Sequence, residues 1–340
     1  MTRNIVVDNV KIIMIFTVVL GHLIEPNIGK NESIKTLYLF IYSFHMPVFV
    51  FLSGMYSKIG MSNDRIIKNV KSIFIPLIVF TILYEILSLV LTGQISGYTK
   101  SLAPHWILWF LFSLFVWRFL LTIILKFKYP IVFGLLLTVT LGYFDAVGYS
   151  FGLSRTIYFL PFFIYGYRYS EHYSNFKLKK LSLPPKHLMW IIFILGGLTV
   201  YYFRDIQHQW LLGSMSYSTL GIDSKYAGAW RVLTILFSGI MILTIMSLVP
   251  NREFSFSFRG KHSLYVYLWH GVVIKTLLNL GWFEMISGYS QLISFAAAVI
   301  LAILLTRIFS SNTVVQNTNK ILLDPLERNI NRIYTLHKKY

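Results

Sequence analysis

IVVDNVKIIMIFTVVLGHLI, residues 5–24, is an apolar run interrupted by an aspartate and a lysine near its start and a histidine near its end. Twenty mostly apolar residues suffice to cross the ~30 Å hydrocarbon core as a helix, so the stretch reads as a membrane span. Lys11 and His22 stand eleven positions apart, about three turns and ~16 Å, and share one face. Asp8 precedes Lys11 by three positions, within reach of an ion pair on the same stripe. An ionisable side chain inside a bilayer is costly to place and by default marks function. His22 therefore has two readings. It is a core histidine bonded to a neighbouring helix, or a neutral imidazole that accepts a proton from a hydroxyl nucleophile. Lys11 likewise either anchors the inner end of the helix or holds an anionic ligand.

The rest of the chain has the same character. Hydrophobic residues make up 56% of the 340 and charged ones only 13%, against about 25% charged in soluble domains. The fold class this implies is all-α, a polytopic membrane bundle. The net charge of +18 is spread through short loops, as membrane topology requires. No basic stripe interleaved with aromatics stands in a soluble domain, so membrane lipids are expected partners and nucleic acid is not. The 22 Tyr and 8 Trp suit aromatic belts at the two interfaces. Cysteine is absent, which excludes disulfides, thiolate metal sites and acyl-cysteine intermediates. The histidines are not at metal-ligand spacings, and no metal is expected. Arg3 precedes the first apolar run with no small-residue cleavage site after it, so the first helix is expected to stay as an anchor.

Ten segments are candidate spans: 5–24, 37–57, 72–92, 106–125, 130–148, 155–170, 188–203, 229–249, 263–280 and 290–310. With the N-terminus inside, 21 of the 31 Lys and Arg fall in inner segments, 7 in outer ones and 3 (Arg118, Lys275, Arg307) within helices. That asymmetry predicts an even number of spans with both termini cytoplasmic. The loop 171–187 is the longest inner connection. The outer loop 204–228 is long enough for a partial lid. Residues 1–310 form the transmembrane domain, and 311–340 a basic amphipathic tail expected along the inner headgroups. With so little chain between the helices, the chemistry belongs inside them.

Three further groups of polar residues stand in apolar surroundings. Helix 2 carries Ser43, His45 and Pro47, then Ser53 and Gly54. Pro47 frees a backbone carbonyl, which is tolerated where a helix lines a cavity, and Ser53-Gly54 is a small-residue site for close helix approach. Helix 4 opens with His105, Trp106 and Trp109, either an interfacial belt or a stacking platform for sugars. Helix 9 holds Ser263, Tyr267 and His270 at i, i+4 and i+7, one polar face with His270 near mid-membrane. Glu85 is expected to pair with a cation, and Lys275 and Arg307 to reach toward the interfaces. There is no GxSxG elbow, Walker loop or HExxH.

With these blocks in order, the chain resembles the membrane acyltransferase type 3 family, and most of all its fucose 4-O-acetylase-like branch. The markers are Asp8 to Lys11 with Val18 to His22, Phe44 to Pro47 with Leu52 to Gly54, and Trp109 to Leu111. Two more are Leu160 to Phe163 with Gly166-Tyr167, and Ser263 to His270. The resemblance implies ten helices and both termini cytoplasmic. It also implies O-acyl transfer, usually of acetyl from cytosolic acetyl-CoA to a hydroxyl of a cell-surface or lipid-linked glycan, in a bacterial plasma membrane. Lys11 takes the place of an arginine found in much of the family, offering a point charge rather than a bidentate fork. The implied roles are His22 as general base, with His45, Tyr267 and His270 completing the catalytic group. Lys11, Arg65, Lys68 and Lys71 would hold acyl-CoA phosphates, and Asp8, Ser53 and Trp109 would contact substrate. The esterase domain often fused in the family has no counterpart in these residues, so an esterase-type or glycan-assembly partner is expected as a separate chain. The competing reading is a polysaccharide exporter or flippase, which more naturally shows inverted repeats.

Overall fold

Helix α1 (Ile5–Ile24) begins where Asn4, in extended conformation, turns its side-chain oxygen onto the Val7 amide at 3.2 Å. This satisfies one of the N–H groups left open at a helix start. The structure, a computed structural model, describes residues 4–60, 62–145, 152–175, 185–222 and 225–337. Arg3, Lys177, Lys179, Lys180, Lys338 and Lys339 of the inner charge count lie outside them, as do residues 146–148 of the fifth predicted span and 176–184 of the loop after the sixth.

A helix occupies each predicted segment: α2 (Glu32–Met55), α3 (Asn63–Thr92, with a π-turn at Val70–Phe74), α4 (Trp109–Ile124), α5 (Pro130–Leu141), α6 (Leu153–Asn175), α7 (Lys186–Tyr202), α8 (Ala227–Leu248), α9 (Ser263–Asn279) and α10 (Gln291–Phe309). Among the described residues there is no strand. Among the described residues six helices are long and apolar enough to cross a membrane: α1, α2, α3, α4, α8 and α10. Helices α5 and α7 are apolar but shorter. Helix α6, read from sequence as a short segment, is 23 residues long and carries Pro161 inside it.

α1 lies at the centre, packed on α2, α9, α10 and the turn Ser257–His262. Its first turns are clamped by Asn9, fully buried, whose amide donates to the carbonyls of Pro250 and Arg252 at 3.0 and 2.9 Å and whose oxygen accepts from the Ser257 hydroxyl. The closest helix crossing is between α2 and α6. A Cβ on Gly54 would strike the Phe163 carbonyl, and one on Gly166 would strike that of Phe51. Two reciprocal glycines thus let the backbones touch, as expected of small residues between membrane helices.

The expected lid folds into its own small core. Trp210, Tyr217, Leu220 and Ala227 pack together, and Arg231 of α8, only 2% exposed, lies over the rings of Tyr158, Trp210 and Tyr217 at 5.0–5.2 Å while donating to the Met215 carbonyl. The tail continues through α11 (Asp324–His337) and binds back onto the bundle. Tyr265 donates to Asn319 at 2.7 Å, Trp269 to Thr318 at 3.0 Å, Lys71 to Asn331 and Tyr334 to Asp64. One side of the expected headgroup helix is therefore held by protein.

Candidate active site

Two cavities lie end to end along the stripe of α1. The first, about 970 Å³ of empty space to its mouth, is walled by His22, Glu25, Tyr42 and His45, by Trp106, Trp109 and Arg155, and by His208, Gln209, Leu211, Leu212 and Met215 of the lid. The second, about 730 Å³, is walled by Lys11, Phe49, Ser53, Tyr56, Phe110 and Arg118. Val18, Met46 and Tyr267 line both and form the waist between them.

His22 stands in the last turn of α1, and Glu25 follows three positions on, in the short helical turn Glu25–Asn27. A carboxylate only accepts, so the 3.1 Å contact from Nδ1 of His22 to Oε2 of Glu25 puts the proton on Nδ1 and leaves Nε2 a lone pair. The Tyr42 hydroxyl lies 3.2 Å from the same Nδ1. The imidazole is flanked by Trp106, ring centroids 4.7 Å apart, and by His270, stacked at 5.6 Å. His270 and His45 each point Nδ1 at the carbonyl four residues back, Val266 at 2.9 Å and Ile41 at 2.8 Å. Both thereby present an unprotonated Nε2.

Trp106 reaches His22 through an unusual backbone. Its φ is +25° and that of Leu102 is +53°, left-handed values that non-glycine residues seldom hold without support. The support is Glu85, bonded to His105 at 2.9 Å and to Ser96 and Thr99, with Lys275 over the rings of Tyr84, Tyr98 and Trp106. Burial, reinforced by Lys275, pushes His105 below the usual imidazole range against the pull of Glu85. Burial does the same to His208, aided by Lys35 and opposed by Glu25.

Of the residues singled out from sequence, His22, His45, Tyr267 and Trp109 line the histidine cavity, and Lys11, Ser53 and Tyr267 the lysine cavity. Lys11 lies over the Tyr56 ring at 5.2 Å. His270 backs the histidine cavity from a fully buried position. The Tyr267 hydroxyl donates to the Ile107 carbonyl. Asp8, Arg65, Lys68 and Lys71 line neither cavity; Arg65 and Lys68 are exposed, and Lys71 is turned to the tail. Glu25, Tyr42, Arg118, Arg155 and His208 were not read as site residues. Glu25 was findable from its i, i+3 spacing to His22. Arg155, the first residue of the sixth predicted span, sits on α6 with its guanidinium 5.4 Å from the Trp109 ring. Among the described residues no group of three His, Cys, Asp or Glu is placed to hold a metal ion.

Residues 4–310 match the acyltransferase domain family, type 3. Nodulation protein NolL of Sinorhizobium fredii is 30% identical over 129 residues, 34% of this chain. The matched stretch spans 35% of that protein's length. No solved structure matches. A family match running from the cap of α1 to the end of α10, over helices long and apolar enough to cross a membrane, makes this chain a member of the type 3 acyltransferase family.

Proposed function

We propose that the protein moves an acetyl group from acetyl-CoA, entering by the lysine cavity from the cytosol, to a hydroxyl of a cell-surface or lipid-linked glycan entering by the histidine cavity from outside. The observation that carries this reading is the pair of cavities on one helix stripe, one cationic and one basic in the proton-accepting sense, meeting at a single waist. Ten spans and two cytoplasmic termini, in a bacterial plasma membrane, complete the arrangement.

Lys11 and Arg118 supply positive charge beside an apolar throat of Phe49, Leu52 and Phe110, which suits a phosphate-bearing donor with a slender apolar arm. Arg118 is oriented by a 3.0 Å bond to Asn69. Arg65, Lys68 and Lys71 stand on the preceding helical stretch as a more distant basic field. The ~16 Å from Lys11 to His22 matches the reach such an arm needs to bring a thioester to the waist.

In the transfer step, the acceptor oxygen attacks the thioester carbonyl carbon while Nε2 of His22 takes the hydroxyl proton. The C–S bond then breaks, the new ester leaves on the glycan, and the proton passes from His22 to the departing sulfur. Glu25 steadies the imidazolium between those events. An oxyanion needs a donated proton, and the protons of Tyr267 and of His45 Nδ1 already serve the Ile107 and Ile41 carbonyls. Arg155, which lines the histidine cavity with its guanidinium beside the Trp109 ring, is the cation we assign to the developing charge. His45 accepts from an acceptor hydroxyl and orients it, Tyr267 forms the waist, and Trp106 and Trp109 face the sugar.

The test is complementation of a strain lacking the gene, reading base-labile acetate released from its surface glycan. The native gene restores the acetate, and His22→Ala does not while reaching the membrane in equal amount. Restoration by His22→Ala overturns the mechanism.

A further inference from the structure

A groove continues from the histidine cavity over the start of α2. Its walls include Lys35, Tyr38, Asp205, Gln207 and His208, around about 1030 Å³ of open space. His208 and Gln209 line the groove and the histidine cavity alike, so the two are adjoining compartments divided by one stretch of lid. Tyr38 extends the link inward. Its ring stacks on Tyr42 with centroids 3.9 Å apart and meets His208 edge-on at 5.7 Å, and Tyr42 touches His22.

The groove is polar in a particular way. Lys35 pairs with Asp205 at 3.6 Å and Arg204 with Glu32 at 3.3 Å, and the two carboxylates are 83% and 67% exposed. Ion pairs this solvated contribute little and exchange readily with other partners. Beside them Gln207 is exposed, with donors and an acceptor to offer. Loosely held carboxylates, an amide and an ammonium, with the half-buried His208 ring at their inner end, are what a ring bearing several hydroxyls requires.

We propose that this groove binds the sugar unit next to the one being acylated, so that the acceptor is an oligosaccharide chain and not a single sugar. The inference rests on the reading of the protein as a glycan acyltransferase. Binding energy from the neighbouring unit would then hold the acceptor hydroxyl at His22, which raises kcat/KM for chains over single units.

The experiment uses the full chain in nanodiscs with radiolabelled acetyl-CoA. The acceptors are fragments of the host surface glycan, partially hydrolysed and sorted into one-, two- and four-unit lengths. We expect kcat/KM to rise at least tenfold from one unit to two. Gln207→Ala and Asp205→Ala, both at exposed positions that leave folding intact, should erase that rise and leave the one-unit value and the KM for acetyl-CoA within twofold. Equal kcat/KM for one and two units in the native protein, or variants that lower the one-unit value as much as the two-unit value, overturn the groove and leave glycan acylation standing. Acetyl-CoA consumed with label in none of the fragments overturns the glycan reading, and the groove with it.

Discussion

Replacing Glu25 with glutamine removes one charge while keeping the shape of the side chain beside His22. The native carboxylate fixes the proton on Nδ1 and, in the proposed mechanism, stabilises the imidazolium formed in transfer. Two unit charges 4 Å apart interact by about 4 kcal/mol at an effective dielectric of ~20. The side chains of His22 and Glu25 are 14% and 34% exposed, so roughly half of that survives solvent screening. About 2 kcal/mol lost from the transition state corresponds to a fall in kcat of about 30-fold. This is well short of the ~10⁴-fold loss when a fully buried orienting aspartate is replaced by asparagine in a serine protease. The KM for acetyl-CoA should hold, because Glu25 does not line the lysine cavity. The assay is initial-rate acetyl transfer in proteoliposomes with both substrates varied. A kcat within twofold of native, or a loss confined to the KM for acetyl-CoA, would refute the pairing of Glu25 with the base.

Lys11→Met should raise the KM for acetyl-CoA about tenfold, equivalent to ~1.4 kcal/mol, with kcat retained, and Lys11→Arg should restore it; steady-state kinetics at two salt concentrations checks both. Gly54→Ala and Gly166→Ala should each destabilise the fold by about 1–3 kcal/mol or more through overpacking, read as a lower midpoint of thermal unfolding in detergent. Gly197→Ala, where an added Cβ meets nothing within 4 Å, should leave that midpoint unchanged. Arg231→Met should loosen the lid, raising the KM for the glycan acceptor severalfold while the KM for acetyl-CoA stays put, measured in the same proteoliposome assay.

The periodicity of apolar runs located the helices because a bilayer demands about twenty such residues in a row, and that demand is local. The Lys11–His22 stripe was legible for the same reason: one helix fixes the spacing of its own side chains. What the chain could not display locally was which cations meet the stripe. Arg65, Lys68 and Lys71 are near Lys11 in charge pattern, yet Arg118, some fifty residues later, reaches its cavity, because α4 packs against the π-turn of α3, where Arg118 bonds Asn69, while Arg65 and Lys68 are exposed and Lys71 is turned to the tail. Asp8 lies one turn from Lys11, with its backbone packed against Gly260, yet it lines neither cavity, so the shared stripe did not give a shared cavity. Arg155 and Arg231 stand at the first turns of two predicted spans, and helices α6 and α8 carry both inward, onto the rings of Trp109 and of Tyr158, Trp210 and Tyr217.

The base is held by more than its carboxylate partner. His270 stacks on the His22 ring and Trp106 packs against it at a tilt, Glu25 and Tyr42 meet its Nδ1, and Nε2 is left to face a substrate. Each restraint comes from a different helix or turn, so the imidazole cannot rotate without breaking several contacts at once. The strained backbone at Leu102 and Trp106 belongs to this set, since a relaxed turn there would withdraw the indole from His22. The Tyr267 bond to the Ile107 carbonyl ties the waist to the same segment. In the proposed reaction donor and acceptor meet at a point whose proton acceptor has one free direction, toward the cavity that the lid lines. A hydroxyl delivered there is favoured over random water because the waist of Val18, Met46 and Tyr267 offers water no polar group of its own except a hydroxyl already committed to the backbone.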